Sequence, residues 1–205
     1  MMLGISSVVS AGGGSVADSL WTWGANSGGE LGQNDLTDRS SPTQIADKTG
    51  TTLHTGYASN YMAMIVSGAL WMWGNGGTGQ LGQGSPADRS SPVQVGSLTD
   101  WANISLGSAR SVAVKTDGTL WSWGVGQYGA LGHGNETSLS SPVQVGALTD
   151  WASVTVGDNW TLAVKTDGTL WSWGFNTFGQ LASGNTTDRS SPVQVGALTN
   201  WGTVS

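Results

Sequence analysis

Two histidines, His54 and His133, and thirteen carboxylates are the groups this chain could bring to acid–base or metal chemistry. Neither histidine has a Cys, Asp or Glu at ligand spacing. The carboxylate nearest His133 is Glu136, and one His with one Glu is a poor metal site. Both histidines therefore read as surface residues. Asp35, Glu136 and Asp158 are isolated acids, whereas carboxylate-driven hydrolysis needs two groups at a defined separation. There is no cysteine, which excludes thiolate metal sites, thiol catalysis and disulfides. Gly74-Asn-Gly76-Gly-Thr-Gly79 and Gly124-Val-Gly126-Gln-Tyr-Gly129 both fit G-x-G-x-x-G. A pyrophosphate would need a helix N-terminus directly after such a loop, and no helical pattern follows. No catalytic residue, cofactor or metal is expected.

What these residues share is a period. Trp21-Thr-Trp23-Gly24, Trp71-Met-Trp73-Gly74, Trp121-Ser-Trp123-Gly124 and Trp171-Ser-Trp173-Gly174 are spaced by fifty residues, and Ser41-Pro42, Ser91-Pro92, Ser141-Pro142 and Ser191-Pro192 follow in phase. A long fixed period marks a propeller, a solenoid or an array. Asp38-Arg39, Asp88-Arg89 and Asp188-Arg189 fall at equivalent places before Ser-Ser-Pro, with Ser138-Leu139 in the third unit. Their recurrence points to a structural turn or loop pair rather than to catalysis.

The third unit shows the elements most clearly. Asn103–Leu106 and Ser111–Lys115 are predicted strands, Asp117-Gly118 is expected to be a two-residue turn, and Thr119–Gly124 and Val143–Val145 complete a set of four. Four antiparallel strands make a propeller blade. No segment sustains apolar spacing at i, i+3, i+4 and i+7, and thirty-three glycines oppose helix. The period of two places Trp121 and Trp123 on one face of their strand, and Leu120 and Ser122 on the other. The indoles are thus expected to form the core between blades rather than a ligand cage. Burying each would contribute on the order of 4–6 kcal/mol gross.

The net charge of −6 comes with only seven basic residues, none adjacent. That is no footprint for phosphate neutralisation, so nucleic acid is not an expected partner. No apolar run reaches the ~18–20 residues of a membrane span. The opening residues through Gly14 lack the basic region of a secretory signal. The small-residue lead Met1–Gly14 is similar to the openings of phage virion proteins, which makes a virion surface or tail component the preferred setting, with the cytoplasm as the alternative.

The segment Leu170-Trp-Ser-Trp-Gly-Phe-Asn-Thr-Phe-Gly-Gln-Leu181, followed by Ser191-Pro-Val-Gln-Val195, resembles repeats of the regulator of chromosome condensation family. The resemblance runs from about Ser19 to Ser205. It implies a β-propeller, of seven blades in most members, and a scaffold used for protein binding: one member is a nucleotide-exchange factor that docks on chromatin, and a bacterial β-lactamase inhibitor uses similar repeats. The family's Gly-x-x-His reads here as Gly56-Tyr-Ala-Ser59, Gly107-Ser-Ala-Arg110 and Gly157-Asp-Asn-Trp160, without the histidine.

Domain organisation follows from the phase: a lead segment over 1–18, then a repeat domain over 19–205 with units around 19–50, 51–100, 101–150 and 151–205. The chain opens its repeats at a third strand, and Trp201–Ser205 matches the first-strand sequences Trp101–Ser105 and Trp151–Thr155. Ile5–Ser10 is a candidate second strand. Trp201–Ser205 is expected beside Ser19–Trp23, in the same chain or across to a neighbour.

Within the chain, the Asp-Gly turn and the linker Val-Gly-Ala/Ser-Leu-Thr-Asp/Asn-Trp are the constant connections between units. The loop between strands one and two and the loop after Trp-x-Trp-Gly diverge. In an up-and-down meander the two divergent loops share one end. That end carries Tyr57, Arg110, Tyr128, Trp160, Phe175 and Phe178, residue types that anchor interfaces when set on loops of a rigid scaffold. The expectation is an all-β, propeller-like array of about four four-stranded blades, three complete and one shared by the termini. It is read as a non-enzymatic binding or structural module whose partner is a protein or its own copies, and as part of a homo-oligomer or larger assembly. An intracellular adaptor or inhibitor is the alternative, and an enzyme with a site in the propeller channel ranks below both.

Overall fold

The computed structural model describes residues 4–8, 19–45, 51–55 and 60–204, with the backbone alone for 4–8, 19, 51–53 and 55. Among the described residues, fifteen strands fall into four sheets. Blade 1 contains β1 (Gly4–Val8), β2 (Ser19–Gly24) and β3 (Arg39–Gln44). Blade 2 contains β4 (Thr51–Thr55), β5 (Tyr61–Val66), β6 (Ala69–Gly74) and β7 (Arg89–Gln94). Blade 3 contains β8 (Trp101–Leu106), β9 (Arg110–Lys115), β10 (Leu120–Gly124) and β11 (Leu139–Gln144). Blade 4 contains β12 (Trp151–Val156), β13 (Trp160–Lys165), β14 (Leu170–Gly174) and β15 (Arg189–Gln194). Strands pair antiparallel in chain order, so the array is the expected meander of blades, without an α-helix among the described residues. The first strand of a blade packs on the blade before it: β8 on β4 and β5, β12 on β8 and β9.

Local chemistry accounts for the strand ends. Gly24, Gly74, Gly124 and Gly174 close the third strands at φ 112°, 98°, 100° and 104°, a region that costs an L side chain dearly. At Gly74 a Cβ would also lie 2.5 Å from the Asn60 carbonyl, which explains why the motif ends in glycine. Each Ser-Pro lies inside the outer strand, where the register shifts between Ser122↔Val143 and Gly124↔Leu139. Proline is tolerated there because a bulged edge strand needs no donor at that position.

The turns differ from expectation. Gly118 N–H donates to Lys115 O at 3.0 Å, and of the Asp-Gly pair only Gly118 has positive φ. Thr116, Asp117 and Gly118 thus form a three-residue loop ending in a left-handed glycine. The two-residue turn with both φ positive occurs instead at Ser67-Gly68 (49° and 78°), between the paired Val66 and Ala69. A side chain at Gly68, Gly118 or Gly168 would run into the carbonyl of Thr99, Thr149 or Thr199. The linker to the next blade therefore lies directly on each turn. Both constant connections are constant for a packing reason.

The blades join through their indoles. Trp73, Trp123 and Trp173 are fully buried, and each Nε1 donates across to the preceding blade: to Glu30 O at 2.9 Å, Gln80 O at 2.8 Å and Ala130 O at 3.0 Å. Gly32, Gly82 and Gly132 make room for these rings, since a Cβ at each would sit 2.8, 2.8 and 2.9 Å from the indole nitrogen. Valines and leucines of the receiving blade (Val112, Val114, Leu120 and Val145 for Trp173) close the pocket. The tryptophans are inter-blade core, as the alternation predicted.

Blade 1 confirms part of the terminal reading. Gly4–Val8 pairs with β2 from Gly4↔Trp23 to Val8↔Ser19, and so supplies a second strand. Trp201–Val204 does not complete the sheet. Its only described tie is Trp201 N–H to Gly168 O at 3.1 Å, the same bond that admits Trp101 and Trp151 to their own blades. Pairing beside β2 within the chain is thus not what the structure shows.

Candidate binding face

In blades 3 and 4 the two divergent loops do emerge at one end of the sheets. Their backbone is far from free. Asp38, Asp88 and Asp188 each accept a backbone N–H across the long loop, from Asn26 at 2.9 Å, Gly76 at 2.8 Å and Asn176 at 2.7 Å. In the third unit Ser138 Oγ takes this place, accepting from Gly126 N–H at 3.1 Å. These periodic residues are loop clamps. The glycines of the G-x-G-x-x-G stretches are equally structural: Gly79 packs on Ser140 of the next blade, and a side chain at Gly76 would meet the Ala87 carbonyl. Side-chain identity diverges on a constrained backbone.

On that backbone three of the expected anchors meet. Tyr128 and Phe175, from adjacent blades, lie 4.7 Å apart between ring centroids, and Phe175 and Phe178 lie 6.0 Å apart edge to face at 79°. Phe178 is 85% exposed, and the other two are half-buried. Tyr128 sits at φ 60°, ψ 15°, a left-handed conformation uncommon for a bulky residue. Such outliers are found where the surroundings over-determine them, commonly at functional sites.

The other expected anchors fall elsewhere. Trp160 opens β13 opposite Gly174 and is half-buried, its ring folded onto Gly157 where no side chain would fit. It shares the end of blade 4 with Phe175, whose N–H donates to Asn159 O at 2.8 Å. Arg110 is not a surface contact: it is 1% exposed and donates from Nη2 to Asn159 Oδ1 of the next blade at 2.8 Å. Burial lowers its pKa to about 10, which leaves it charged at neutral pH. Tyr57 lies outside the described residues.

Sequence spacing missed Tyr61. The register pairs Tyr61 with Gly74 as it pairs Arg110 with Gly124 and Trp160 with Gly174, so Tyr61, not Ser59, holds the equivalent place. Its hydroxyl donates to the backbone of blade 3, with Gly107 O at 3.0 Å and Arg110 O both in reach, and burial pushes its pKa up. This position ties blade 2 to blade 3 through Tyr61 and blade 3 to blade 4 through Arg110.

The histidines are not free surface groups either. Ser122 Oγ gives its proton to Leu131 O at 2.7 Å, so His133 Nε2, 2.9 Å from the same oxygen, must donate to it. Desolvation lowers the pKa of His133 and of His54. On the opposite end, Lys115 and Lys165 are buried. Lys115 Nζ lies 4.9 Å and 4.2 Å from the Trp101 and Trp121 rings and 3.5 Å from Asp100, with matching contacts at Lys165. These lysines are structural.

The repeat model described as "Regulator of chromosome condensation (RCC1) repeat" matches residues 18–55, 67–114, 117–164 and 167–205, and a second model of the same description matches 101–130 and 151–180. The chain belongs to the RCC1 repeat family. Among solved structures it is similar to Prp20p of Saccharomyces cerevisiae, at 20% identity and a TM-score of 0.74 over 88% of this chain and 47% of that one. It is similar to human WBSCR16, at 20% identity and 0.71 over 85% and 46%. A complex of Kap60 with yeast RCC1 (Prp20) gives 20% identity and 0.72 over 87% and 45%. The chain thus spans less than half the length of these structures, and the likeness establishes the β-propeller fold of the family. No curated protein sequence matches the chain.

Proposed function

We propose that this chain is a non-enzymatic protein-binding module that presents the row Tyr128–Phe175–Phe178, with Trp160 beside it, at the divergent end of its blades. The contiguous row carries the reading. Three rings from two blades are stacked in series, one of them almost wholly exposed and one held in a disfavoured backbone conformation. Rigid aromatics contribute large contact area at low entropic cost. One relative, Prp20p (yeast RCC1), is described in two solved structures by its dealings with proteins, with Gsp1p and histones in one and with Kap60 in the other, which supports a protein ligand. An adaptor or inhibitor inside a cell fits the same geometry. The small-residue lead Met1–Gly14 supports the virion setting, which co-purification with particles tests.

Photo-crosslinking from position 178 in the native host identifies the partner. Its affinity is then measured for Tyr128→Ala, Phe175→Ala and Phe178→Ala against Thr116→Ala and Thr166→Ala, two exposed positions on the constant end. The aromatic variants are expected to lose about 2 kcal/mol or more, roughly thirty-fold, and the threonine variants to bind as wild type. Equal losses at both ends would overturn the reading.

A further inference from the structure

Asn75-Gly76 is the one Asn-Gly pair in the sequence, and it lies in the long loop of blade 2, between β6 and β7. Asparagine followed by glycine is the pair most prone to cyclise, because a residue without a Cβ leaves its backbone nitrogen free to approach the carboxamide. Here the two reacting groups are held apart. Gly76 N–H donates to Asp88 Oδ1 at 2.8 Å. The Asn75 carboxamide is turned to Gln80, whose Nε2 donates to Asn75 Oδ1 at 2.8 Å. Gln80 is itself buried, its Oε1 accepting from Thr78 N–H at 2.9 Å. Asn75 N–H donates to Asn60 O at 2.8 Å, which fixes the other side of the residue. Gly76 is buried and packs so closely on Ala87 that a Cβ would meet the Ala87 carbonyl. Bringing Gly76 N onto Asn75 Cγ therefore requires that the Asp88 hydrogen bond break. The same clamp recurs in the other blades without this consequence. Asp38, Ser138 and Asp188 hold the nitrogens of Asn26, Gly126 and Asn176, and the residues before these are Ala25, Val125 and Phe175, none with a carboxamide. Of the four clamps, the one in blade 2 both closes its loop and occupies a nucleophile.

We propose that Asn75 is a self-modification site, a spontaneous deamidation that Asp88 holds in check by keeping the Gly76 nitrogen engaged. In the step, the Gly76 nitrogen bonds to Asn75 Cγ and the Cγ–Nδ2 bond breaks. Ammonia departs with the proton that the Gly76 nitrogen gives up. The resulting succinimide then takes up one water. Opening at Cγ leaves an aspartate, and opening at the main-chain carbonyl carbon of residue 75 leaves an isoaspartate, whose side chain carries the backbone onward. Water is the co-reactant, and nothing is oxidised or reduced. Reaction proceeds from the opened loop, so its rate is set by how often the clamp releases. The isoaspartate adds a carbon to the backbone, which shifts Gly76 relative to Asp88 and residue 75 relative to Gly28 of blade 1, where a Cβ would lie 3.6 Å from Asn75 Cβ. Blade 2 is then left with an unclamped loop and an added negative charge. The inference does not rest on the binding reading, whose aromatic row belongs to blades 3 and 4.

To test this, the full chain is incubated in mildly alkaline buffer, folded and in urea, and conversion is read by peptide mapping as a gain of about 1 Da, the difference between an amide and an acid. The mass gain separates this reaction from isomerisation at Asp117-Gly118 and Asp167-Gly168, which leaves mass unchanged. In urea Asn75 is expected to convert before any other asparagine. The folded chain should convert at least about ten-fold more slowly, and Asp88→Ala should speed the folded chain about ten-fold, as expected for losing a hydrogen bond to a charged acceptor. Asp88→Ser, which copies the Ser138 clamp of blade 3, should stay slow, and Asp188→Ala, which removes the blade 4 clamp, should match wild type. Wild type alone gives a second test that holds even if Asp88→Ala fails to fold: as urea rises, conversion at Asn75 should climb in step with amide exchange at Gly76. Another asparagine converting first in urea, folded conversion at the unfolded rate, equal acceleration by Asp188→Ala, or conversion that ignores Gly76 exchange would overturn the proposal. So would an Asp88→Ala rate at or below wild type; a slower rate would make Asp88 a base for the Gly76 nitrogen rather than its guard.

Discussion

His133 and Lys115 show how single side chains here serve packing in ways their residue types disguise. His133 stands where Gln33 and Gln83 stand in earlier units, and each sends an Nε2 donor toward its own third strand. Burial depresses the pKa of His133 and His54 in the folded state, so the unfolded chain binds more protons as pH falls. Stability is therefore full above the unfolded value of about 6.5 and is lost as pH drops below it toward the folded values, at no more than about 1.4 kcal/mol per pH unit for each histidine. Chemical denaturation of His133→Gln between pH 7 and 5 should show a shallower loss than wild type, with the His54 share remaining. Lys115 is held between two indoles, and a desolvated cation over aromatic rings is worth about 2 kcal/mol. Lys115→Met, which keeps the stem and removes the charge, should lower stability by about 1–2 kcal/mol in the same assay.

At the scale of elements, the seam between blades depends on absent atoms. Gly82 has φ 68° and leaves 2.8 Å between a would-be Cβ and Trp123 Nε1, whereas Gly96 has φ 62° and open space around it. Gly82→Ala should cost about 2–4 kcal/mol, from backbone strain together with displacement of the indole. Gly96→Ala bears the strain alone and should cost about 1 kcal/mol. Thermal melts of the pair separate the two effects. If both lose the same, the slot around Trp123 is looser than its geometry indicates.

For the whole molecule, stability in a stacked array is approximately a sum of blade and seam contributions. Blade 3 is flanked on both sides, and blade 4 on one. Amide exchange should therefore be slowest in β9 and β10 and faster in the matching strands β13 and β14, whose far face is not covered by any described residue of another blade. Uniform exchange across blades 2, 3 and 4 would indicate that the array unfolds as one unit.

The sequence alone determined the blade. A fifty-residue period, alternating tryptophans and glycine-ended strands are local patterns, and local patterns specify strands, their order and which face is buried. It also located the end where side chains diverge, and there Tyr128, Phe175 and Phe178 proved to be neighbours. What it did not determine was anything set by contacts across blades. Arg110 looks like an exposed loop residue until Asn159 of the next blade is placed against it, and Lys115 looks like a solvated turn residue until two indoles enclose it. Tyr61 escaped because it stands five residues after Gly56 whereas Arg110 stands three after Gly107, so counting pointed to Ser59 while hydrogen-bond register pairs Tyr61 with Gly74. Burial in this fold is decided by the adjacent repeat some fifty residues away, and no window of sequence shorter than that can reveal which polar side chain a neighbour will cover.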